Sequence, residues 1–252
     1  MLDMTKVENE VLAQLFDLYS KCDVIDLSTV LENDIPRWPT HPPLVVHHTL
    51  SHEHDGYFSN TIFMPEHIGT HCDAPAHSHS HLPERTVDTL QVDAMVGPAC
   101  LIDLAPLNLE AGQQVGPEVI HEWEAANGPI RRGDIVLINF GWIARHWRKD
   151  AQWPYYGKNS PGLTGDAVRL LYERGIKALG SDLIACDQAI VDGVPEKSFA
   201  HEEYMLPNGL PLIEELYNLE SLPPRFLLVA LPLKIKGGSG SPMRVVAFVP
   251  KK

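Results

Sequence analysis

Four residues able to bind a divalent metal fall within one short stretch of this chain: His67, His71, Asp73 and His77. Neutral imidazole and carboxylate are the ligands that Zn2+, Mn2+ and Fe2+ take. Their offsets are all even, so an ideal strand would turn the four side chains to one face. An ideal strand nevertheless sets His67 and His71 ~13 Å apart, at ~3.3 Å per residue. Two ligands of one ion, each held at about 2.0–2.2 Å, cannot be so distant. The backbone must therefore curl between them. Gly69 permits the curl, and Pro75 stops the segment from continuing as a central strand. A helix would also bring i and i+4 together, but the internal Gly-Thr and the following Asp-Ala-Pro count against one. The spacing predicts a kinked strand end or loop folded around a metal, with Cys72, at an odd offset, facing away.

The flanking pattern supplies elements to hold such a segment. Residues 3–20 carry Val7, Val11, Leu12, Leu15, Phe16 and Tyr19 at helical spacing, which predicts an amphipathic helix for packing or dimer contact. Strands are expected over 22–28, 42–50, 57–64, 99–104, 133–142 and from 178, with a polar turn at 51–56. A short helix is expected within 85–95 and another over 115–126, with Pro117 near its first turn. Residues 155–163 read as a loop. Thr164 should cap a helix that runs to about Arg174 and ends at Gly175. Ten of the thirteen histidines lie between His41 and His81. One site cannot use ten ligands, so His41, His47, His48, His52 and His54 are assigned to solvent or to supporting positions.

The motif His67-x-Gly69-Thr70-His71-x-Asp73-x-Pro75-x-His77 resembles the signature of the cyclase-family metal hydrolases, which include bacterial kynurenine formamidases and isatin hydrolases. The likeness extends over residues 22–249 through a Gly-Asp-x-Val-Leu strand, a Pro-Gly-Leu loop and a Gly-rich closing segment at 232–244. It implies an α/β fold of the swivelling β/β/α type, with a mixed, partly barrel-like sheet and peripheral helices. Residues 22–252 are expected to form a single domain after an N-terminal helix over 1–21. The resemblance assigns one ion to His67, His71 and Asp73. It assigns a second to Asp73, His201 and Glu214, although the gap between the last two is one residue longer than in the formamidase branch. With one ion, as in the isatin-hydrolase branch, His201 and Glu214 become supporting or substrate contacts. His77 takes the role of proton shuttle; as a fourth ligand it would instead close the site. Trp38, flanked by prolines, resembles an element that walls the substrate pocket, and a buried anchor under a loop is the other reading.

The implied activity is metal-dependent hydrolysis of an amide C–N bond in a small molecule, an arylformamide or cyclic amide. One or two Zn2+ or Mn2+ ions per chain would acidify the attacking water. Alternatives are a lactone or ester hydrolase on the same site, or a non-catalytic His-rich metal-binding protein. A cupin-type oxygenase using His79, His81 and Glu84 lacks a matching second half. A formal charge of −13 argues against nucleic acid or an anionic membrane as partner. The four cysteines form no CxxC pair and read as reduced thiols, which with no visible signal peptide suggests the cytoplasm. A homo-oligomer, dimer or tetramer, follows from the resemblance.

Overall fold

Three strands at the centre of the chain are buried along nearly their whole length, the mark of parallel strands covered on both faces. The computed structural model describes residues 4–251, with side chains from residue 10 onward. The barrel strands are β1 (Cys22–Asp26), β2 (His71–Asp73), β3 (Val96–Asp103), β4 (Ile135–Asn139), β5 (Ala178–Ser181), β6 (Leu212–Glu214), β7 (Arg225–Pro232) and β8 (Gly240–Pro250). They form one mixed sheet in the order β1-β8-β7-β3-β4-β5-β6-β2, and a further β8–β2 pairing closes seven of them into a barrel. The β3–β4, β4–β5 and β5–β6 ladders are parallel and the others antiparallel.

Side-chain alternation divides the core in two. Cys100, Ile102, Val136 and Ile138 face outward onto Ile120 and Trp123 of the Glu118–Asn127 helix and Val168 and Leu171 of the Gly165–Arg174 helix. Ala99, Leu101, Ile135 and Leu137 face inward with Leu228, Ala230, Val245 and Ala247. Thr164 caps the second helix by accepting from the Ala167 amide, and Gly175 ends it at φ +75°, as the sequence predicts.

Several local expectations fail. Residues 155–163 are not a simple loop. Trp153–Lys158 is a helix with Pro154 in its first turn, anchored by the buried Tyr156, whose hydroxyl donates to Asp182 O at 2.8 Å. The expected helix within 85–95 shrinks to one 3-10 turn, Val87–Thr89, whose first amide bonds to Gly238 O. The polar turn at 51–56 contains a helical turn, His52–Asp55, capped by Ser51. The N-terminal helix, Met4–Ser20, is present, but its apolar residues from Val11 onward are exposed within the chain. Phe16 is 69% exposed, and Tyr19 packs on Phe248. Val7 lies outside the described side chains. Among the described residues, no helix is long and apolar enough to cross a membrane. All four cysteines are free.

Candidate active site

The signature folds as a bend over 66–70, a short strand at β2 and a 3-10 turn at Pro75–His77. Gly69 sits at φ +57°, and a Cβ there would lie 2.7 Å from Leu31 Cδ2. Thr70 fixes the bend by donating through Oγ1 to Glu215 O at 2.7 Å. Strand register then positions the donors. Glu214 lies directly opposite His71 on β6, and Gly240 lies opposite Asp73 on β8. The absent side chain at Gly240 leaves room for the His67 ring, whose Cε1 a Cβ would strike. Cys72, on the other face, packs into the inner core with Leu27 and Ala74.

Asp73, fully buried, is the hub. His67 Nδ1 lies 2.7 Å from its Oδ1 and His71 Nε2 3.4 Å; His201 Nε2 lies 3.1 Å from its Oδ2 and His77 Nε2 3.7 Å. Glu214 spans the same space, with Oε2 3.4 Å from His71 Nε2 and Oε1 3.3 Å from His201 Nε2. Two groups bring all their donor atoms within 4.8 Å of one another: His67 with Asp73 and His77, and His71 with Asp73 and Glu214. Asp73 belongs to both groups; His67 and His71 face its Oδ1, and the His77 ring stands 4.0 Å from that of His67. Trp38, half-buried, lines the cavity of about 360 Å3 onto which these residues open.

His201 lies on a single π-helical turn, Ala200–Tyr204. Such turns recur at functional sites. Its Nδ1 is 2.6 Å from Ser198 Oγ, which donates to the buried Asp187. Glu215 has φ +55°, and the turn lets two consecutive carboxylates line one cavity where a strand would separate them. Glu215, Ser198, Asp187, Ser239 and Glu66 were not singled out from the sequence, because their roles arise from pairings between distant segments. His41 was assigned away from the chemistry, yet it lines the cavity with its ring 6.1 Å from that of His67. His48 and His52 pack on Phe58 in the Val45–Leu50/Ser59–Phe63 hairpin region instead.

The electrostatics suit a cation. Burial opposes ionisation of Asp73, but the His67 charge and hydrogen bonds from His201, His67 and His71 hold it well below the usual carboxylate range. Burial likewise disfavours the charged forms of His71 and His201, yet their carboxylate partners raise both well above the ordinary histidine value. Burial lowers His77 and His41, and it raises Glu215 far above the carboxylate range, with the charge of Glu214 adding to it. Glu214 Oε1 and Glu215 Oε1 are buried without a hydrogen-bond partner. A divalent ion fits this set: hard carboxylate oxygens and imidazole nitrogens converge in a buried, cation-seeking space.

The Cyclase family model matches residues 25–188. An isatin hydrolase from Roseibium aggregatum is 33% identical over 218 residues, covering 83% of this chain and 82% of that protein. A kynurenine formamidase from Bacillus mycoides is 28% identical over 88% of this chain and 95% of its own. A crystal structure of an isatin hydrolase with the product analogue thioisatinate superposes with a TM-score of 0.80 at 26% identity, each chain covered completely. The signature, the closed barrel and these matches agree: the chain belongs to the cyclase family.

Proposed function

We propose that this chain is a metal-dependent hydrolase that cleaves the C–N bond of a small aryl amide, cyclic or formyl, at the Asp73 centre. The observation that carries the reading is the convergence of four imidazoles and Glu214 around one buried carboxylate. His67, His71 and Asp73 would hold one ion, and Asp73, His201 and Glu214 a second. Zn2+ and Mn2+ are the ions this nitrogen and oxygen set suits. When bound, the metal would polarise the amide carbonyl and bring the pKa of its water down to about 7.

The chain's own residues do the rest. His77, 33% exposed at the cavity and pushed toward the neutral form by burial, takes the proton that water loses and returns it to the leaving nitrogen. The C–N bond breaks as the C–O bond forms, giving a carboxylate and an amine. Trp38 offers an apolar wall for a flat ring. Residues 22–252 act as one catalytic unit. The uncovered N-terminal helix supplies a contact between copies in a homo-oligomer, and the four free thiols suit a reducing cytoplasm.

Metal analysis of protein purified without chelators, paired with hydrolysis of isatin, N-formylkynurenine and an aryl lactone, tests the reading. Amide turnover with one or two tightly held ions supports it. Lactone cleavage alone moves the substrate class to esters. Several loosely held ions without turnover would make the chain a metal-binding protein.

A further inference from the structure

We infer that two carboxylate–serine pairs, Glu66–Ser239 and Asp187–Ser198, are positioning residues that set His67 and His201 in opposite tautomers. His67 thereby turns an unprotonated Nδ1, and His201 an unprotonated Nε2, toward Asp73. The inference rests on the metal-site reading above and assigns the atom that each histidine offers.

A hydroxyl carries one hydrogen and can accept two more bonds. Ser239 Oγ gives its hydrogen to Glu66 Oε2 at 2.7 Å, and Ser198 Oγ gives its own to Asp187 Oδ1 at 2.6 Å. The remaining bonds, His67 Nε2 to Ser239 Oγ at 2.8 Å and His201 Nδ1 to Ser198 Oγ at 2.6 Å, must then run from ring to oxygen. The proton of each neutral ring is thus fixed on the nitrogen away from Asp73, which leaves a lone pair on the other. That other nitrogen is His67 Nδ1, 2.7 Å from Asp73 Oδ1, or His201 Nε2, 3.1 Å from Asp73 Oδ2. Two acceptors so close need a cation between them, a proton in the metal-free protein or the ion in the loaded one.

Both carboxylates are themselves held by backbone. Asp187, wholly buried, accepts through Oδ2 from the Phe199 and Ala200 amides at the start of the π-helical turn. Glu66 Oε2 also accepts from the Ser239 amide at 2.9 Å, and a Cβ at Gly238 would crowd Glu66 Oε1 at 2.9 Å. His71 reaches the same state without a serine, since its Nδ1 donates to Gly69 O at 2.7 Å. Three imidazoles therefore have their outer nitrogen engaged. Among the described residues His77 has no such partner, as befits the ring that must gain and lose a proton.

The test uses the zinc-loaded protein, with affinity measured by chelator competition and ring N–H protons followed by 1H–15N spectra. Ser198→Ala and Ser239→Ala should each weaken zinc binding about 10–100-fold. In Ser198→Ala the His201 Nδ1–H signal, protected in the unaltered protein, should be lost to exchange. Ser198→Thr and Ser239→Thr should restore both readouts, which a purely structural role would not require. If an alanine variant fails to fold, the corresponding Ser→Cys variant, similar in size and a poor acceptor, should show the same loss. Unchanged affinity in both serine variants, while His67→Ala and His201→Ala lose zinc, overturns the tautomer assignment alone. Unchanged affinity in the histidine variants as well overturns the metal reading beneath it.

Discussion

The two halves of the site are held by different forces. His71, Asp73 and Glu214 ride on β2 and β6, where ladder hydrogen bonds and fixed register leave their backbones no freedom. His201 stands outside the barrel on one π-helical turn, tied down by its ring bond to Ser198 Oγ and by the Phe199 and Ala200 amides bound to Asp187. A ladder fixes direction for every residue along a strand, whereas a short turn fixes it only through the few partners it recruits. The barrel therefore sets a rigid donor face, and the outer turn decides how completely that face is closed over.

Removing the hub should erase the distinction. Asp73→Asn takes the charge from both halves at once, and it is expected to lose all bound metal and all turnover above background. Metal content by elemental analysis checks this; retention of one ion would show that one half binds without the hub. His77→Ala should instead leave metal content unchanged and reduce kcat by about 10^2–10^4, the range for a lost general acid–base group. Metal loss in that variant would make His77 a ligand and close the site.

How much of this was legible from sequence follows the same division. Part of the donor face was readable because parity along a strand is local: His71 and Asp73 share one face of β2 and Cys72 takes the other. Gly69 was readable because only a curl could bring two such histidines together. The helix at Gly165–Arg174 was readable from Thr164 and Gly175 for equally local reasons. Asp187, Ser198 and Ser239 were not, since nothing near them in sequence shows that Ser239 meets a histidine 172 residues away. His41 was hidden beside His47, His48, His52 and His54, which belong to the Val45–Leu50/Ser59–Phe63 hairpin region. The helix at Trp153–Lys158 was hidden because Tyr156 is ordered by burial against Asp182 rather than by a periodic pattern.

Protons and metal compete for the same centre, which predicts a pH dependence that metal removes. His71 and His201 have folded-state pKa values above the unfolded 6.5, so their contribution to stability is full below 6.5 and is lost as pH rises through the folded values. Asp73, lowered, contributes above its unfolded 3.8 and loses that only in strong acid. Metal-free protein should therefore melt several degrees lower as pH is raised above neutrality, by calorimetry, and excess Zn2+ should abolish the trend. A melting temperature independent of pH without metal would mean that the two histidines are not paired with these carboxylates.

The smallest expected effect lies one residue from the hub. Cys72 sits between His71 and Asp73 in sequence, but strand alternation sends its side chain into the inner core. Burial pushes its thiol pKa well above the ordinary cysteine value, so at neutral pH it is a small apolar filler. Cys72→Ala removes one buried sulfur and should cost about 1 kcal/mol, by denaturant unfolding, with zinc affinity and turnover unchanged. A fall in metal content would mean that the face of β2 can rotate. The fixed register that separates the barrel half from the outer turn would then not be fixed at all.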